Sequence, residues 1–314
     1  MKFGKQTTVR DRIVLTGAGV HSNAPVRLVI HPAEADSGIA FLRSRPDGSE
    51  ILIEAKWSSV SMTELCTVIG CGSEESVSTI EHLLATFAGL GIDNALVEVD
   101  GPEVPIMDGS AAAFVEAIDQ VGTVELSARR RYVKVLKPVR IEHGRGFSEL
   151  RPAERGFTLD VEIDFAGGLI GRQQMVLELS PTTFRRDVSR ARTFGFLRDV
   201  ERLWKAGFAL GASLDNTVAL DEERVLNPGG LRYADEFVRH KTLDAVGDLA
   251  LAGLPIIGAY RSYCGGHKMN VAVLSALFAD PTNYRIVDAP APRRASSRPE
   301  IGFPVAAALA PEVN

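Results

Sequence analysis

The segment EFVRHKTLDAVGDLA carries His240, Asp244 and Asp248 at intervals of four residues. Because a helix brings residues i and i+4 onto the same face, these side chains would form one polar stripe. A histidine and an aspartate one turn apart can supply two ligands to a single zinc ion, although a polar stripe is more often a solvated surface. We expect part of this stripe to be internal, because apolar residues occupy much of the remaining circumference: Phe237, Leu243, Val246 and Leu249.

The pair Glu81-His82 stands near the start of a second predicted helix, in SVSTIEHLLATFAGLG. Ser78 and Glu81 fit a capping box, in which the glutamate side chain returns to the backbone N–H of the cap. Glu81 could equally be a catalytic acid or base. The order Glu-His excludes the H-E-x-x-H arrangement, and Ser78 stands where H-x-x-E-H requires a histidine. The sequence leaves the capping and catalytic interpretations of Glu81 open.

His267 follows two glycines in CGGHKMN, at the start of the last predicted helix. Glycines at such a place let the backbone approach a substrate closely. The cationic form of a histidine at a helix N-terminus is disfavoured unless an anion compensates, and Asp248 is a candidate for that anion. A histidine in this position is more often an ordinary capping or core residue, so the segment alone does not decide its role.

The composition of the 314-residue chain is typical of a soluble globular protein, with 45% hydrophobic and 24% charged residues. The net charge of −5 argues against general nucleic-acid binding, which needs a surplus of lysine and arginine. No apolar run resembles a signal peptide or a membrane span. Cys66, Cys71 and Cys264 are too few and too irregularly spaced for a disulfide framework. We therefore expect a reduced, cytoplasmic protein without integral membrane association.

The order of the predicted elements divides the chain into two α+β domains, residues 1–127 and 128–280. The predicted strands are Val26–His31, Ile39–Arg43, Ile51–Lys56, Ala95–Val99, Phe157–Phe165 and Ile256–Tyr260. The predicted helices are the SVSTIEHLLATFAGLG segment, a helix capped by Ser110 that runs to about Val121, Glu236–Leu251 and Lys268–Phe278. Residues 281–314 contain six of the 16 prolines and are predicted to form a disordered tail.

Apolar residues also recur at helical spacing in TFGFLRDVERLWKAGFALGAS, where the charged residues fall largely on other faces. They are Phe196, Leu197, Val200, Leu203 and Trp204. An ordinary helix packed on the core of its domain explains this pattern. For Leu203 and Trp204 we favour that interpretation.

Four segments, taken in order, are more specific than any single motif: STIEHLLATFAGLGIDNALVEVDGPEVPIMDGSAAAF, SRARTFGFLRD, DEFVRHKTLDAVGDL and GGHKMN. Together they strongly resemble the UDP-3-O-acyl-N-acetylglucosamine deacetylases of Gram-negative bacteria, enzymes of the committed step of lipid A synthesis. The similarity runs from about Thr7 to Leu277. It implies an α+β fold of two domains with similar topology, each a sheet with paired helices. The helices would pack face to face between the sheets, with the active site at the domain junction.

The resemblance also implies roles for individual residues. Zn²⁺ would be held by His82, His240 and Asp244, with Glu81 as general base. His267 would be the general acid supported by Asp248, Thr193 would assist the oxyanion, and Lys241 would contact substrate. The implied substrate-binding residues are Leu65, Cys66, Phe194, Leu197, Val200, Ala209, Ser213 and Lys241, of which Leu197, Val200, Ala209 and Ser213 would line a passage for the acyl chain.

Two departures from the family pattern affect these implied roles. Gly265-Gly266 precedes His267 where the family usually has Ser-Gly, and residues 166–168 read Ala-Gly-Gly where the family often has His-Pro. Contacts to the nucleotide near residues 166–168 are therefore left open. Arg140 and Arg261 are candidates for the UDP phosphates, but the favoured interpretation of both is a solvated surface charge.

Three functions remain to be compared. The first is a monomeric enzyme whose substrate is UDP-3-O-acyl-N-acetylglucosamine. The second is a zinc amidohydrolase that acts on another N-acetyl sugar nucleotide. The third is a non-catalytic nucleotide or lipid carrier, which would be expected to lose Glu81 or a metal ligand first, and all of these residues are present.

Overall fold

A computed structural model describes residues 4–45, 47–72, 74–165 and 168–289. Strands and helices are mixed in the α+β manner that the sequence predicts. In the N-terminal half the elements are β1 (Lys5–Val9), β2 (Ile13–Ala18), β3 (Pro25–Pro32), β4 (Ile39–Ser44), β5 (Glu50–Glu54), β6 (Val60–Met62), β7 (Val68–Gly70), β8 (Ser76–Val77), α1 (Glu81–Leu90), β9 (Ala95–Val99), α2 (Ala112–Val121) and β10 (Thr123–Arg129).

The main sheet of this half has the strand order β2-β3-β9-β4-β5. All neighbours are antiparallel except β4 and β9, which run parallel. In β9, Ala95, Val97 and Val99 are buried while the two residues between them are half-buried, as period-two burial on a sheet requires. Strands β6, β7 and β8 form a small second sheet, and β1 pairs with β10.

The C-terminal half contains β11 (Arg131–Val135), β12 (Val139–His143), β13 (Gly146–Arg151), β14 (Phe157–Phe165), β15 (Gly171–Glu178), α3 (Pro181–Thr183), β16 (Phe194–Phe196), α4 (Val200–Lys205), β17 (Val218–Leu220), α5 (Glu236–Ala250), β18 (Ile256–Tyr263), α6 (His267–Ala279) and β19 (Tyr284–Asp288). Seven of these strands form one sheet, in which β18 pairs with β11, β13 and β14.

Helices α1 and α5 pack directly against each other. A Cβ atom added to Gly247 would lie only 2.0 Å from the carbonyl oxygen of Glu81, so the two backbones touch where α1 begins. Only glycine permits so close an approach. This contact places the polar stripe of α5 beside the first residues of α1.

Residues 284–288 correct the predicted disordered tail. They form strand β19, which pairs antiparallel with β11 from Arg131 to Val135. The N–H of Ala289 also donates to the carbonyl of Arg130 at 2.7 Å. The high proline content of 281–314 obscured this short strand, which has tertiary pairing that composition cannot reveal. Residues 290–314 lie outside the described residues.

The division at residues 127–128 stays a prediction, although β10 ends at Arg129 on β1 and β11 starts a new sheet at Arg131. In the described part of the chain, no helix has the length and apolar character needed to cross a bilayer.

Candidate metal centre and active site

Helix α1 begins at Glu81 without a side-chain cap. The hydroxyl of Ser78 donates instead to the carbonyl of Pro102 at 3.0 Å, because Ser78 forms a β-bridge with Glu103. The Glu81 carboxylate accepts a hydrogen bond from the Thr67 N–H at 3.1 Å through Oε2. The capping-box interpretation of Glu81 is therefore wrong, and the other carboxylate oxygen remains available.

The polar stripe of α5 lies inside the protein, as the flanking apolar residues predict. His240, Asp244 and Asp248 are 2%, 3% and 0% exposed. A solvated surface is thereby excluded as the reason for the stripe. Burying three ionisable groups on one helix costs free energy unless each group has a partner.

His82 from α1 completes a cluster with His240 and Asp244, and the candidate ligand atoms of the three side chains lie within 4.8 Å of one another. Asp244 Oδ1 is 3.3 Å from His240 Nε2 and 3.6 Å from His82 Nε2. The imidazole rings are nearly perpendicular, with centroids 5.0 Å apart. Two imidazoles and one carboxylate form a donor set typical of catalytic zinc sites.

Asp244 Oδ1 is buried and has no hydrogen-bond partner among the described residues. An unpaired buried carboxylate oxygen is costly, and a cation at the centre of the cluster would satisfy it. His240 Nδ1 lies 3.1 Å from the carbonyl of Ala191. If this nitrogen carries the proton, the lone pair of Nε2 faces the cluster, which is the tautomer that a metal ligand needs. The residues present therefore fit a divalent metal ion.

Charge states in the cluster also suit a metal. Burial lowers the pKa of His240 to about 4, so its imidazole is neutral at pH 7. Burial alone would raise the pKa of Asp244, but His240 and Lys241 outweigh it and hold this pKa well below the ordinary value. Lys241 Nζ donates to Asp244 Oδ2 at 2.9 Å. A neutral imidazole and an ionised carboxylate are the forms that coordinate metals.

His267 lies next to this cluster at the start of α6. Its Nδ1 is 2.8 Å from Asp248 Oδ2, and its Nε2 is 3.9 Å from Glu81 Oε1. Burial lowers the pKa of His267, but the carboxylates of Asp248 and Glu81 outweigh it and raise the value to about 9. Burial raises the pKa of Glu81, although the nearby His267 opposes this. A cationic histidine and a basic carboxylate thus face each other beside the metal cluster.

Asp248 is held by two further side chains. Thr67 Oγ1 donates to its Oδ1 at 2.6 Å, and Asn270 Nδ2 donates to its Oδ2 at 2.8 Å. Thr67 therefore touches two site carboxylates, through its backbone to Glu81 and through its hydroxyl to Asp248. The sequence analysis missed Thr67. Its only signal was its place directly after Leu65-Cys66.

Known proteins match this chain along nearly its whole length. A family model described as UDP-3-O-acyl N-acetylglycosamine deacetylase matches residues 6–279. Relatives named UDP-3-O-acyl-N-acetylglucosamine deacetylase from Brucella ovis, Brucella canis and Brucella suis are each 50% identical over 285 residues, which are 90% of this chain and 99% of the relative. The chain belongs to this deacetylase family.

The resemblance leads us to expect Ser-Gly before His267, whereas this chain has Gly265-Gly266. A Cβ atom on Gly265 would lie 2.2 Å from Ser262 Oγ and 3.1 Å from Ser148 Oγ. The hydroxyl of buried Ser262 already occupies the space that a serine at 265 would need. A serine at position 265 would therefore require Ser262 to move.

Thr193 lies two residues after Ala191, whose carbonyl contacts His240. Its N–H donates to the carbonyl of Gly109 at 2.8 Å, and its own carbonyl accepts from Val218. Phe194, the next residue, has its ring centroid 6.2 Å from that of His240. The segment therefore borders the metal cluster, while the oxyanion role of Thr193 and the substrate contact of Phe194 stay predictions.

The remaining predicted substrate residues differ in exposure. Cys66 is buried, and burial raises the pKa of its thiol, whereas the preceding Leu65 is 45% exposed. Leu197 and Ser213 are exposed, Val200 is half-buried, and Ala209 has a φ of +56°. No contact among the described residues tests their binding roles.

Helix α4 corrects another prediction. It has only six residues, none of them buried, and Trp204 is 55% exposed. The Trp204 indole N–H donates to the carbonyl of Ala209 at 3.1 Å rather than packing in the core. The prediction that Trp204 belongs to the domain core is wrong, because the segment is too short to present a continuous apolar face to the sheet.

A cavity of about 440 Å³ lies beside Lys241. Its lining includes Arg145, Asp164, Phe196, Arg198, Lys241 and Gly265. Arg140 and Arg261 are not in that lining; they pair with Glu142 and Asp160 and lie over the ring of Phe147. Their interpretation as surface charges is favoured. Ala166 and Gly167 lie outside the described residues.

Proposed function

We propose that this chain hydrolyses the N-acetyl group of UDP-3-O-(3-hydroxyacyl)-N-acetylglucosamine and releases acetate, the committed step of lipid A synthesis. The observation that carries the proposal is the cluster of candidate metal ligands beside the Glu81 and His267 side chains. Amide hydrolysis needs an activated water molecule, stabilisation of an oxyanion and a proton for the leaving nitrogen. The cluster and these two side chains offer groups suited to those tasks.

His82, His240 and Asp244 would hold Zn²⁺, which when bound supplies Lewis acidity for water activation and for polarising the acetyl carbonyl. Glu81 Oε1 accepts the proton of the attacking water, because Oε2 is engaged with the Thr67 N–H. The raised pKa of Glu81 makes this carboxylate a stronger base than an exposed glutamate.

His267 supplies the proton for the glucosamine nitrogen. Its Nδ1 is bound to Asp248, so the donor is Nε2, which lies on the side of Glu81. Thr193 assists the oxyanion. Leu65, Cys66 and Phe194 contact the substrate, and Leu197, Val200, Ala209 and Ser213 line the passage for the acyl chain.

Lys241 holds Asp244 in place and points its charge toward the cavity it lines with Arg145 and Arg198. The lining also contains the carboxylates of Asp164, Asp221 and Glu222, and Arg145 and Arg198 pair with Asp164 and Glu222. Lys241 is therefore the cation proposed to meet the UDP phosphates. The cytoplasmic location and the monomeric state expected from the sequence stay predictions.

The direct test is acetate release from UDP-3-O-acyl-N-acetylglucosamine by the purified protein, with and without a chelator. We expect turnover that the chelator abolishes and added Zn²⁺ restores. Turnover of UDP-N-acetylglucosamine without the acyl chain at an equal rate would favour another sugar-nucleotide amidohydrolase. Substrate binding without any acetate release would favour a carrier.

A further inference from the structure

Glu103 carries a buried carboxylate that the reaction described above does not use. The residue is 1% exposed. Its carboxylate accepts hydrogen bonds from the Ser22 N–H at 2.9 Å, the Ser22 hydroxyl at 2.8 Å, the His21 N–H at 3.0 Å and the Thr79 hydroxyl at 2.8 Å. Four donors on one buried carboxylate make a strong, directional junction between segments that are distant in sequence.

The first of these segments leads into the general base. Thr79 lies two residues before Glu81 and has a φ of +57°, which is unfavourable for a β-branched residue. Such a conformation is strained and persists only where surrounding contacts impose it. The hydrogen bond from the Thr79 hydroxyl to Glu103 is one of those contacts. Glu103 therefore helps to fix the backbone from which the Glu81 side chain projects.

The second segment is the turn of residues 19–23, which is built closely around the carboxylate. A Cβ atom on Gly19 would lie 2.0 Å from Glu103 Oε2 and 2.4 Å from Ser22 Oγ. The turn also closes on itself, since the Asn23 N–H donates to the Gly19 carbonyl at 3.1 Å. The position of this turn is consequently set by Glu103.

This turn also binds residues 208–211 of the C-terminal half, which include Ala209 of the proposed acyl passage. The bonds are from the Ala209 N–H to His21 Nδ1 at 3.3 Å, from the Leu210 N–H to the His21 carbonyl at 3.1 Å, and from the Gly211 N–H to the Val20 carbonyl at 3.0 Å. A Cβ atom on Gly211 would lie 2.3 Å from the Gly19 carbonyl oxygen, so the two backbones are in direct contact.

We propose that Glu103 is a positioning residue that keeps the acyl-binding segment at Ala209 at a fixed position relative to the base Glu81. This inference rests on the proposed function. Binding of the acyl chain to the passage is useful for catalysis only if it places the acetamide correctly against the base. An error of about 1 Å can cost on the order of 10²-fold in rate. One rigid carboxylate that contacts both supporting segments fixes the position of the acyl passage relative to the base.

Two single substitutions separate the two connections. Thr79→Val keeps the branched shape but removes the hydroxyl, so it should lower kcat about tenfold on both a long-acyl substrate and a short-acyl analogue. Ser22→Ala frees the turn and with it the acyl segment, so it should lower kcat/KM several-fold for the long-acyl substrate and leave the short-acyl analogue near wild type. Glu103→Gln should show both effects, with zinc content unchanged.

Asp93→Asn is the matched control. Asp93 has a carboxylate whose side chain is 9% exposed and which accepts from the Thr7 N–H and from Arg130 Nε, and it lines a cavity other than the one beside Lys241. It should lower Tm while leaving kcat, KM and the acyl-length preference unchanged.

The outcomes are distinct. If Glu103→Gln behaves like Asp93→Asn, with a lower Tm and unaltered kinetics on both substrates, then Glu103 is merely structural and the inference is overturned. Equal losses on the long and short substrates for Ser22→Ala would also overturn it, because the turn would then not act through the acyl segment. A wild-type protein that releases no acetate would instead refute the proposed function itself.

Discussion

Three carboxylates crowd the candidate site, and the positive charges that face them decide what the site can do. Asp244 and Asp248 lie four residues apart on α5, and Glu81 lies across from them on α1. The charge of Lys241 offsets that of Asp244, and a protonated His267 offsets the charge of Asp248. Asp244 Oδ1 is left without a hydrogen bond among the described residues. At the scale of single residues, the site is thus arranged for one additional cation.

Replacing a metal ligand tests that arrangement. We expect His240→Ala to lower both the zinc bound per chain and the rate of acetate release, because two ligands hold zinc far less tightly than three. Elemental analysis of the purified variant, alongside the activity assay, measures both quantities. Full zinc content together with full activity would contradict the ligand assignment.

Glu81→Gln should separate catalysis from structure. The amide keeps an oxygen for the Thr67 N–H, so the start of α1 should survive and zinc should remain bound. The loss of a general base should lower kcat by ~10²–10⁴. Tm measured beside kcat is the check, and a lower Tm with an unchanged kcat would assign Glu81 a structural role only.

The pH profile should report His267. This side chain must be protonated to act as an acid, so activity should fall as pH rises through its pKa of about 9. Asp248→Asn removes an anion that stabilises the imidazolium, which lowers the pKa of His267. The basic limb of the kcat/KM profile should then move to lower pH. A limb that stays in place in Asp248→Asn would show that another group sets it.

Much of this residue-level picture follows from the sequence. The i, i+4 spacing placed His240, Asp244 and Asp248 on one face, and the apolar neighbours indicated their burial. The family resemblance was needed to bring His82 and Glu81 to the same place. Thr67 and Glu103 could not be predicted, because each acts through hydrogen bonds between segments that only the tertiary fold brings together.

Single elements were predictable in proportion to their periodicity. Strands Ala95–Val99 and Phe157–Phe165 have the predicted bounds, and α5 ends one residue before its predicted end. Strand β19 was missed, because its pairing with β11 and not its composition defines it. Helix α4 is shorter than its apolar spacing indicates. Local patterns therefore predicted elements whose burial repeats regularly, and failed where long-range contacts decide.

The crossing of α1 and α5 offers a test at this scale. Gly247→Ala adds a methyl group that would lie 2.0 Å from the Glu81 carbonyl oxygen, so the helices must move apart. We expect a loss of about 1–3 kcal/mol in the free energy of unfolding and weaker zinc binding, since the ligands lie on both helices. Gly229→Ala is the control, because an added Cβ there meets no atom within 4 Å. Equal effects of the two substitutions on Tm and on chelator resistance would refute the close-contact explanation.

On the scale of the whole molecule, the candidate metal ligands come from both halves of the chain, so a bound metal would link the two. His82 comes from the N-terminal half, and His240 and Asp244 come from the C-terminal half. A ligand that binds only the folded chain stabilises it by about 2.7 kcal/mol at 100 times its Kd. Zinc removal should therefore lower Tm by several degrees, and calorimetry in the presence of a chelator measures this. The same treatment of His240→Ala should change Tm little; a full shift in that variant would place the stabilising metal elsewhere.

Strand β19 has a consequence for shortened versions of the chain. It pairs with β11 along the whole of that strand, from Arg131 to Val135. Cutting the chain at Ala279, where α6 ends, would keep every proposed catalytic residue and yet leave one side of β11 without its backbone partner. An unpaired strand of this kind invites edge-to-edge association between copies. Such a truncated enzyme would fail through aggregation rather than through lost chemistry, whereas a chain cut after Ala289 retains the covering strand.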